Sequence, residues 1–397
     1  MIVHVDMDSF FVAIERLKDP SLTGKPVVVG GDPSLGRTVV ASASYEARTY
    51  GIHSATPMAV AVRLCPALVV VPGDFHTYDR YYRQVKEVLK SFSPTVEMTS
   101  IDEGYVDLTG TQRLWGSSME AGERIRWRIK QATGLNCTVG IAKNKVMAKI
   151  ASNWAKPNGL FYISPGKERE FLASLPVDAI PGVGNKTGST LRAFGLETVG
   201  QITTVDESLM ETAFGAYGRS LWRTARGEDD RGLVPEWRRK SISKETTFRV
   251  DTADRQYIVA VLHYLIEKVC RRLRQEKKRA RTVSVKLRYE DFETELRSMT
   301  LSQPENVDEV IFSVARDLTL NAITRRVRIR LIGVGLSNLT DDYHQIDLFE
   351  EHTWLRMRQR LLAMDQTRER FGFDALLAGE AIPLINYSGR VTGAQIS

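Results

Sequence analysis

Residues 1–11, MIVHVDMDSFF, form a short apolar stretch that runs directly into two aspartates and then two phenylalanines. Alternate side chains of an extended strand point to the same face, so we expect Asp6 and Asp8 on one side of the chain. Two carboxylates that close repel each other, and a cation beside them relieves the repulsion. The stretch therefore predicts a buried strand that ends at a cation-binding site.

A second acidic pair, Asp102 and Glu103, lies in another strand-like region at residues 96–110. Neighbouring side chains of a regular strand point to opposite faces, so these two converge only if the backbone bends, and Gly104 would permit such a bend. Hard cations such as Mg²⁺ prefer oxygen ligands and often bind a few carboxylates together with substrate phosphates. With Asp6 nearby, the group could hold two ions for phosphoryl transfer; taken alone, the pair is explained equally well as ordinary turn acids.

The composition is that of a folded protein with more than one domain. The chain has 397 residues, of which 43% are hydrophobic and 26% are charged, and this length predicts about two to four domains. The first residues do not resemble a signal peptide, and no apolar run reaches the roughly 18 residues of a membrane span. Three widely spaced cysteines, Cys65, Cys137 and Cys270, show no metal-ligand spacing, and we expect a reduced, cytoplasmic protein.

The net charge of +7 is concentrated in one segment of the chain. Residues 231–340 contain 23 Lys and Arg against 14 Asp and Glu, whereas residues 1–230 contain 26 against 25 and residues 341–397 contain 6 against 9. A basic module between a neutral and an acidic segment favours a polyanionic partner such as nucleic acid.

Strand-like and helix-like patterns alternate through the first part of the chain. After the strand at residues 1–8 and the one at 96–110, residues 136–142 predict another strand, and the next segment predicts a helix that ends at Pro157-Asn158-Gly159. Short helices punctuated by glycine follow. A long helix with a basic end and three alternating strands then predict a small α+β module.

Four motifs carry a resemblance: HVDMDSFF (4–11), VVASASYEARTYGI (39–52), SIDEGYVD (100–107) and TVGIAKNKVMAKIASNWAKPNG (138–159). In this order they resemble the motifs of Y-family, translesion DNA polymerases, in the DNA polymerase IV (DinB) branch, over residues 1–340. The resemblance implies an α+β multidomain, right-hand polymerase fold. Its parts would be a palm (1–10 and 73–164), fingers (11–72), a helical thumb (165–228), a linker (229–242), an α+β little finger (243–340) and a C-terminal tail (341–397).

The resemblance implies a template-directed, low-fidelity polymerase that transfers dNTPs to a primer 3′-hydroxyl during translesion synthesis, without proofreading. Its partners would be primer-template DNA and dNTP, and it would act as a monomer. Two Mg²⁺ ions would be held by the catalytic carboxylates of Asp6, Asp102 and Glu103. The backbone carbonyl of Met7 would be a further ligand. Asp8 matches a family aspartate that is not counted as a direct ligand, so the first strand contributes one carboxylate rather than two.

The two phenylalanines after the first strand receive different interpretations. Phe11 matches the aromatic steric gate of the family, which would collide with a ribose 2′-hydroxyl and so select dNTPs. Phe10 belongs to the same dNTP-binding motif, but packing in the core below the fingers is the better explanation for it.

The groups expected around the triphosphate come from two helical segments. Tyr45 and Arg48 lie three residues apart, on one side of a helical turn, and Lys156 lies near the end of a later helix. All three match family positions that grip the β- and γ-phosphates, which Arg can do with two hydrogen bonds. Ser42 and Ala41 match the small residues that roof the nascent base pair.

Two stretches predict contacts with DNA. Residues 180–184, IPGVG, resemble the start of a helix-hairpin-helix, in which Gly182, Gly184 and Lys186 would meet a phosphate; a plain helix turn is the alternative. Four arginines flank a predicted strand in the basic module: Arg325, Arg326, Arg328 and Arg330. The even-numbered ones would share a face that follows the DNA backbone, unless the strand is merely a solvated edge.

The stretch QIDLF at residues 345–349 resembles the peptide that binds the bacterial sliding clamp. Its contact residues would be Gln345, Asp347, Leu348 and Phe349. Beyond it, apolar residues at positions 354, 357, 361, 364 and 371 predict an amphipathic helix that either packs on the protein or serves a partner.

Two other functions fit part of the pattern. A palm-like nucleotide cyclase would share the paired carboxylates but would not need a basic module, a hairpin-helix segment or a clamp peptide. A catalytically inactive relative acting as a DNA-bound scaffold would keep those three features but should have lost some of Asp6, Asp102 and Glu103, all of which are present.

Overall fold

The computed structural model describes residues 1–235, 238–342, 351–381 and 384. The chain divides into two compact units, residues 1–237 and 238–397. Each unit combines helices with mainly antiparallel sheet around its own hydrophobic core, which confirms the α+β class. Within the described residues, no helix is long and apolar enough to cross a bilayer.

The first unit contains eight strands and twelve α-helices among its described residues. The strands are β1 (Ile2–Met7), β2 (Val27–Gly30), β3 (Val40–Ala43), β4 (Val69–Val71), β5 (Val96–Met98), β6 (Glu103–Asp107), β7 (Cys137–Ala142) and β8 (Leu160–Tyr162). The helices are α1 (Phe10–Lys18), α2 (Tyr45–Arg48), α3 (Met58–Leu64), α4 (Phe75–Lys90), α5 (Gln112–Trp115), α6 (Ser118–Thr133), α7 (Lys145–Ala155), α8 (Glu168–Ala173), α9 (Asn185–Ala193), α10 (Val199–Ile202), α11 (Glu207–Phe214) and α12 (Ala216–Ala225).

Strand β1 is the central strand of a five-stranded sheet in the order β5-β6-β1-β7-β8. It pairs antiparallel with β6 and with β7, which places Asp6 opposite Glu103 on one side and Thr138 on the other. Helices α4 and α6 pack on one face of the sheet and α7 on the other, so β1 is buried from Val3 onward. Burial on both faces explains why the opening stretch is a nearly continuous apolar run.

A second sheet, in the order β3-β2-β4, lies within residues 27–71. Its small core includes Val28 and Ile52 and is separate from the core under β1. Helices α8 to α12 form a further cluster with α7, around Leu172 and other buried apolar residues.

The segment predicted as a linker, residues 229–242, is partly anchored and ends earlier than expected. The backbone N–H of Val234 donates to Glu97 Oε2 at 2.9 Å, and Lys145 Nζ donates to the same oxygen at 2.6 Å. At its other end, Ser241 already begins a strand. The strand therefore overlaps the last two residues of the predicted linker, because its alternating pattern starts inside the polar stretch.

Among its described residues, the second unit contains four strands and three α-helices. These are β9 (Ser241–Thr252), α13 (Arg255–Gln275), β10 (Lys278–Tyr289), β11 (Thr294–Glu305), α14 (Asp308–Ala322), β12 (Ile329–Asp341) and α15 (Glu351–Phe371). The strands form an antiparallel sheet in the order β11-β10-β12-β9. Helices α13 and α14 cover one face over Val283, Val285 and Leu287, while Ser284 and Lys286 point to the other face and are partly exposed.

Helix α15 packs against α13 of the second unit, which is the first of the two alternatives for the tail. Leu361 is buried on its inner face, as the apolar spacing predicts. Met364, one turn further on, is partly buried. Two turns after Leu361 lies Arg368, which is 1% exposed, whereas Phe371 is 66% exposed. Arg368 Nη2 lies 2.5 Å from Glu267 Oε1 on α13. The expectation that Phe371 belongs to the buried face is wrong, because a buried ion pair takes its place.

Candidate active site

Three acidic side chains, those of Asp6, Asp102 and Glu103, lie where β1 meets β6. Asp6 and Glu103 are cross-strand partners, and the Met7 N–H donates to the Asp102 carbonyl at 2.9 Å. The two acidic segments that are far apart in the sequence are therefore neighbours in the sheet.

The bend that lets Asp102 and Glu103 converge lies before them and not at Gly104. Ser100 Oγ accepts hydrogen bonds from the backbone N–H of Asp102 at 3.2 Å and of Glu103 at 3.0 Å, which closes a tight turn. Gly104 lies inside β6, and a Cβ there would come within 2.7 Å of Met98 Sδ. The expectation that Gly104 forms the bend is wrong, because Gly104 is paired on both sides within the sheet and the turn is closed by Ser100.

Two lysines and a histidine lie against the acidic side chains. Lys156 Nζ is 2.8 Å from Asp6 Oδ2, and Lys149 Nζ is 2.6 Å from Glu103 Oε2, which His4 Nε2 approaches to 3.5 Å. Burial alone would raise the pKa of Glu103, but His4 and Lys149 outweigh it and hold that pKa well below its usual range. Burial raises the pKa of Asp6, although Lys156 opposes this shift.

The donor chemistry of the site fits a hard cation. Every candidate ligand is an oxygen, and the carboxylates occupy adjoining positions of two paired strands. Among the described residues, no three His, Cys, Asp or Glu side chains are already grouped around a common metal position. At this site the ammonium groups of Lys149 and Lys156 supply the positive charge beside the carboxylates.

The two phenylalanines that follow β1 lie in different environments. Phe11 is partly buried; its ring stacks on Tyr78, with the centroids 4.3 Å apart and the planes inclined by 15°, and meets Phe75 edge-on at 5.7 Å. Tyr78 is buried and donates its hydroxyl to Glu15 Oε1 at 2.8 Å, so Phe11 rests on a fixed backing. Phe10 is 3% exposed and packs in the core under β1, which supports core packing over a nucleotide contact.

The groups predicted to grip a triphosphate converge on the end of β1 from two directions. Tyr45 on α2 donates its hydroxyl to Asp8 Oδ1 at 3.0 Å, and the Arg48 guanidinium lies over the Tyr45 ring at 4.7 Å. Lys156, directly after α7, reaches Asp6 from the other side. The structure thus brings together all three side chains that the sequence assigned to the phosphates.

Some residues around the site differ from expectation or were missed. Ser42 is buried on β3 while Ala41 is exposed, so Ala41 supplies the accessible surface of that pair. His4, Lys149 and Ser100 hold the acidic side chains but were not singled out in the sequence. A single lysine, serine or histidine has no periodic signature that separates such a role from an ordinary surface or core position.

The glycine-rich stretch forms a turn that leads into α9. Gly182 has φ of +95°, a conformation that favours glycine, and Gly184 is the N-cap of the helix. The Tyr217 hydroxyl donates to the Gly182 carbonyl at 3.0 Å, and Lys186 is exposed. The turn and the exposed ammonium group are thus next to each other in the chain, and their contact with an anion stays a prediction.

The arginines near β12 do not form the predicted shared face. Three of them precede the strand in a bent segment, and only Arg330 lies within it. Arg325 is already paired with Asp291 at 2.5 Å, whereas Arg326 and Arg328 are exposed. Alternation along a strand therefore cannot align them.

The uncovered face of the sheet in the second unit is hydroxyl-rich and basic, and sequence reasoning missed it. Alternate residues of β10 and several of their cross-strand partners contribute to it: Thr282, Ser284, Lys286, Arg288, Ser298, Thr300, Gly333, Gly335 and Ser337. The period of two is visible in the sequence, but the sequence does not show which face the helices cover.

The predicted clamp-binding residues, Gln345, Asp347, Leu348 and Phe349, lie outside the described residues. The described chain ends at Asp342 after β12 and resumes at Glu351 with α15.

Family models match the chain at three places. The impB/mucB/samB family matches residues 5–153, the IMS family HHH motif matches residues 165–196, and the C-terminal domain of the impB/mucB/samB family matches residues 239–348. The last match covers most of the basic module.

The chain is also similar to curated proteins and to solved structures. It is 39% identical over 385 residues to a DNA polymerase IV from Dehalococcoides mccartyi, covering 96% of this chain and 98% of the relative. It is 39% identical over 383 residues to a DNA polymerase IV from Caulobacter vibrioides, covering 96% and 94%. A Y-family DNA polymerase chimera, Dbh-Dpo4(243-245)-Dbh, has a TM-score of 0.77 at 27% identity, covering 86% of this chain and 99% of that one. An insertion ternary complex of Dbh DNA polymerase has a TM-score of 0.61 at 26% identity, with the same coverage.

Proposed function

Because this chain belongs to the impB/mucB/samB family of Y-family, translesion DNA polymerases, we propose how its own residues carry out nucleotidyl transfer. The chain is a DNA-directed DNA polymerase. We propose that it adds dNTPs to a primer 3′-hydroxyl at low fidelity and without proofreading. The observation that carries the proposal is the pairing of Asp6 with Glu103 across β1 and β6, with Asp102 beside them.

The carboxylates of Asp6, Asp102 and Glu103, with the Met7 carbonyl, would hold two Mg²⁺ ions. When bound, such ions activate the attacking hydroxyl and stabilise the charge on the leaving pyrophosphate. The protein itself supplies a fixed array of oxygens, because the register of β1 and β6 and the Ser100 turn leave the acidic side chains little freedom. Lys149 holds both oxygens of Glu103, at 2.7 and 2.6 Å.

The nucleotide would be selected by shape on one side and held by charge on the other. Phe11, backed by Tyr78, would exclude a 2′-hydroxyl from the sugar position. Arg48 and Lys156 would bind the β- and γ-phosphates as cations and hydrogen-bond donors, and Tyr45 would line the same phosphate site while its one O–H is held by Asp8. Above the nascent base pair, the small side chains of Ser42 and Ala41 would leave room for damaged template bases. Such room fits synthesis at low fidelity.

DNA would be held by two surfaces that do not read sequence. The glycine-rich turn with Gly182, Gly184 and Lys186 would bind a backbone phosphate near the start of α9. In the second unit, the exposed Arg326 and Arg328, the partly exposed Arg330 and the hydroxyl-rich face of the sheet would follow the phosphate backbone.

The parts of the polymerase are assigned on the same basis. Residues 1–10 and 73–164 hold the five-stranded sheet and would be the palm, and residues 11–72 hold the smaller sheet and would be the fingers. Residues 165–228 would be the thumb, residues 229–242 the linker, and residues 243–340 the little finger. Residues 345–349 would bind a sliding clamp; action as a monomer in the cytoplasm stays a prediction.

Primer extension with Mg²⁺ and all four dNTPs, on an undamaged template and on a matched template with one abasic site, tests the proposed function. We expect short products on both templates and no removal of a mismatched primer terminus. Binding to primed DNA without any extension would instead favour the scaffold alternative, and excision of the mismatch would contradict the absence of proofreading.

A further inference from the structure

Asp8 stands at the end of β1 but does not join the three catalytic carboxylates. It is buried, with 8% of its surface exposed. Its Oδ1 accepts hydrogen bonds from the Tyr45 hydroxyl at 3.0 Å and the Thr138 hydroxyl at 2.9 Å, and its Oδ2 accepts one from the Asn158 N–H at 2.9 Å. Both oxygens are therefore engaged by donors from three different segments of the first unit.

The Asn158 contact holds the turn that carries Lys156. Asn158 has φ of +50°, a left-handed conformation that Asn tolerates better than most residues with a side chain. Asp8 binds its N–H, and Arg126 Nη2 donates to its Oδ1 at 3.1 Å. Two residues earlier in the same turn, Lys156 reaches to 2.8 Å from Asp6.

The Tyr45 contact holds the other half of the phosphate grip. Burial, together with the nearby charge of Asp8, raises the pKa of Tyr45, so its hydroxyl remains a donor that points at Asp8. Arg48 lies over the Tyr45 ring, so the position of that ring also limits where the guanidinium can lie. One carboxylate thus contacts both segments that are proposed to hold a triphosphate.

We propose that Asp8 is a positioning residue for the triphosphate site, an inference that rests on the function proposed above. It joins Tyr45 on α2 to the Lys156 turn after α7 and so fixes the distance between the two groups that grip the phosphates. Its role is to prepare the binding of the nucleotide and not to take part in the chemical step.

The test is single-nucleotide insertion by Asp8→Asn, measured as kcat and KM for dNTP. The amide has the same shape but no charge. If its oxygen accepts from the Asn158 N–H, its NH2 group faces the Tyr45 and Thr138 hydroxyls, which must turn to accept, so their charge-assisted hydrogen bonds to the carboxylate are lost. We expect KM to rise about five- to twentyfold, the scale of one buried hydrogen bond, with kcat changed less than about twofold. Asp107→Asn is the matched control, because that aspartate ends β6 in the same sheet and accepts hydrogen bonds locally, from Thr109; its kinetics should stay unchanged.

Two further variants separate positioning from folding. Thr138→Val removes one donor to Asp8 without touching the proposed nucleotide contacts, and it should raise KM by roughly two- to fivefold. Tyr45→Phe combined with Asp8→Asn should raise KM by less than the product of the single effects, since both act through one hydrogen bond.

The outcomes are distinct from those that test the proposed function. An active native chain with an unchanged KM in Asp8→Asn and Thr138→Val would overturn the inference alone. Loss of kcat at constant KM would overturn it too, because it would place Asp8 in the chemical step. A native chain that extends no primer would contradict both the inference and the proposed function.

Discussion

Phe11 owes its position to the aromatic side chains behind it. The ring lies flat against Tyr78, whose hydroxyl is bound to Glu15 in the interior, and it meets Phe75 at its edge. Phe11 therefore cannot recede without disturbing a buried hydrogen bond. A ring held in this way suits a steric gate, because a displacement of about 1 Å would admit the hydroxyl it has to exclude.

Replacing Phe11 with alanine should relax sugar selection. We expect the preference for dNTP over rNTP, measured as the ratio of kcat/KM values, to fall by roughly a hundredfold. Phe10→Leu is the control: it lies in the core and should lower the melting temperature while leaving sugar selection intact. Unchanged discrimination in Phe11→Ala would remove the gate assignment.

At the scale of elements, helix α15 is held by charge as well as by apolar packing. In addition to the buried pair of Arg368 and Glu267, Arg274 on α13 donates to Asp365 on α15 at 2.6 Å. A buried charge left without its partner is costly, so each of these pairs makes the second unit depend on the helix.

Arg368→Leu should therefore lower the free energy of unfolding of the second unit by about 3–5 kcal/mol, which is the usual cost of removing one partner of a buried ion pair. Peptide-resolved hydrogen exchange across a urea series would show the loss of protection in α13 and α15. Arg360→Leu is the matched control, because its pair with Glu309 is about half exposed and should contribute roughly 0–1 kcal/mol. Equal protection in both variants would contradict the account of the tail.

The elements that sequence could predict are those with a clear period. The strand at residues 1–8, the helix that ends before Pro157 and the α+β module were visible in hydrophobic spacing, and the carboxylates in short motifs. The bend before Asp102, the buried Arg368 and the junction at Asp8 were not predicted, because they depend on hydrogen bonds between residues far apart in the chain. Periodicity reports which face is apolar and carries no information on a buried polar contact.

At the scale of the whole molecule, the uneven distribution of positive charge along the chain is the simplest indication that the partner is DNA. The basic excess falls in the second unit, where the structure leaves one face of the sheet uncovered. Contacts with phosphates release counterions from DNA, so affinity should fall steeply as salt rises.

The slope of log affinity against log salt concentration tests this account. Arg326→Ala combined with Arg328→Ala should reduce the slope by about 2, since each phosphate contact contributes roughly 0.9 on a duplex. Arg325→Ala should change the slope less, because Asp291 already pairs with that arginine. Fluorescence anisotropy with primed DNA at several salt concentrations measures both, and equal slopes in all proteins would exclude this surface from the interface.

The most direct test of the central claim is the rate of a single nucleotide insertion by Glu103→Gln beside the native chain, with DNA affinity measured on the same samples. The substitution keeps the shape of the side chain and removes its charge. If Asp6, Asp102 and Glu103 form the catalytic site, the rate should fall by at least roughly 10²–10³-fold while DNA affinity changes little. A retained rate, or a loss of DNA affinity that accounts for the lost rate, would contradict the account.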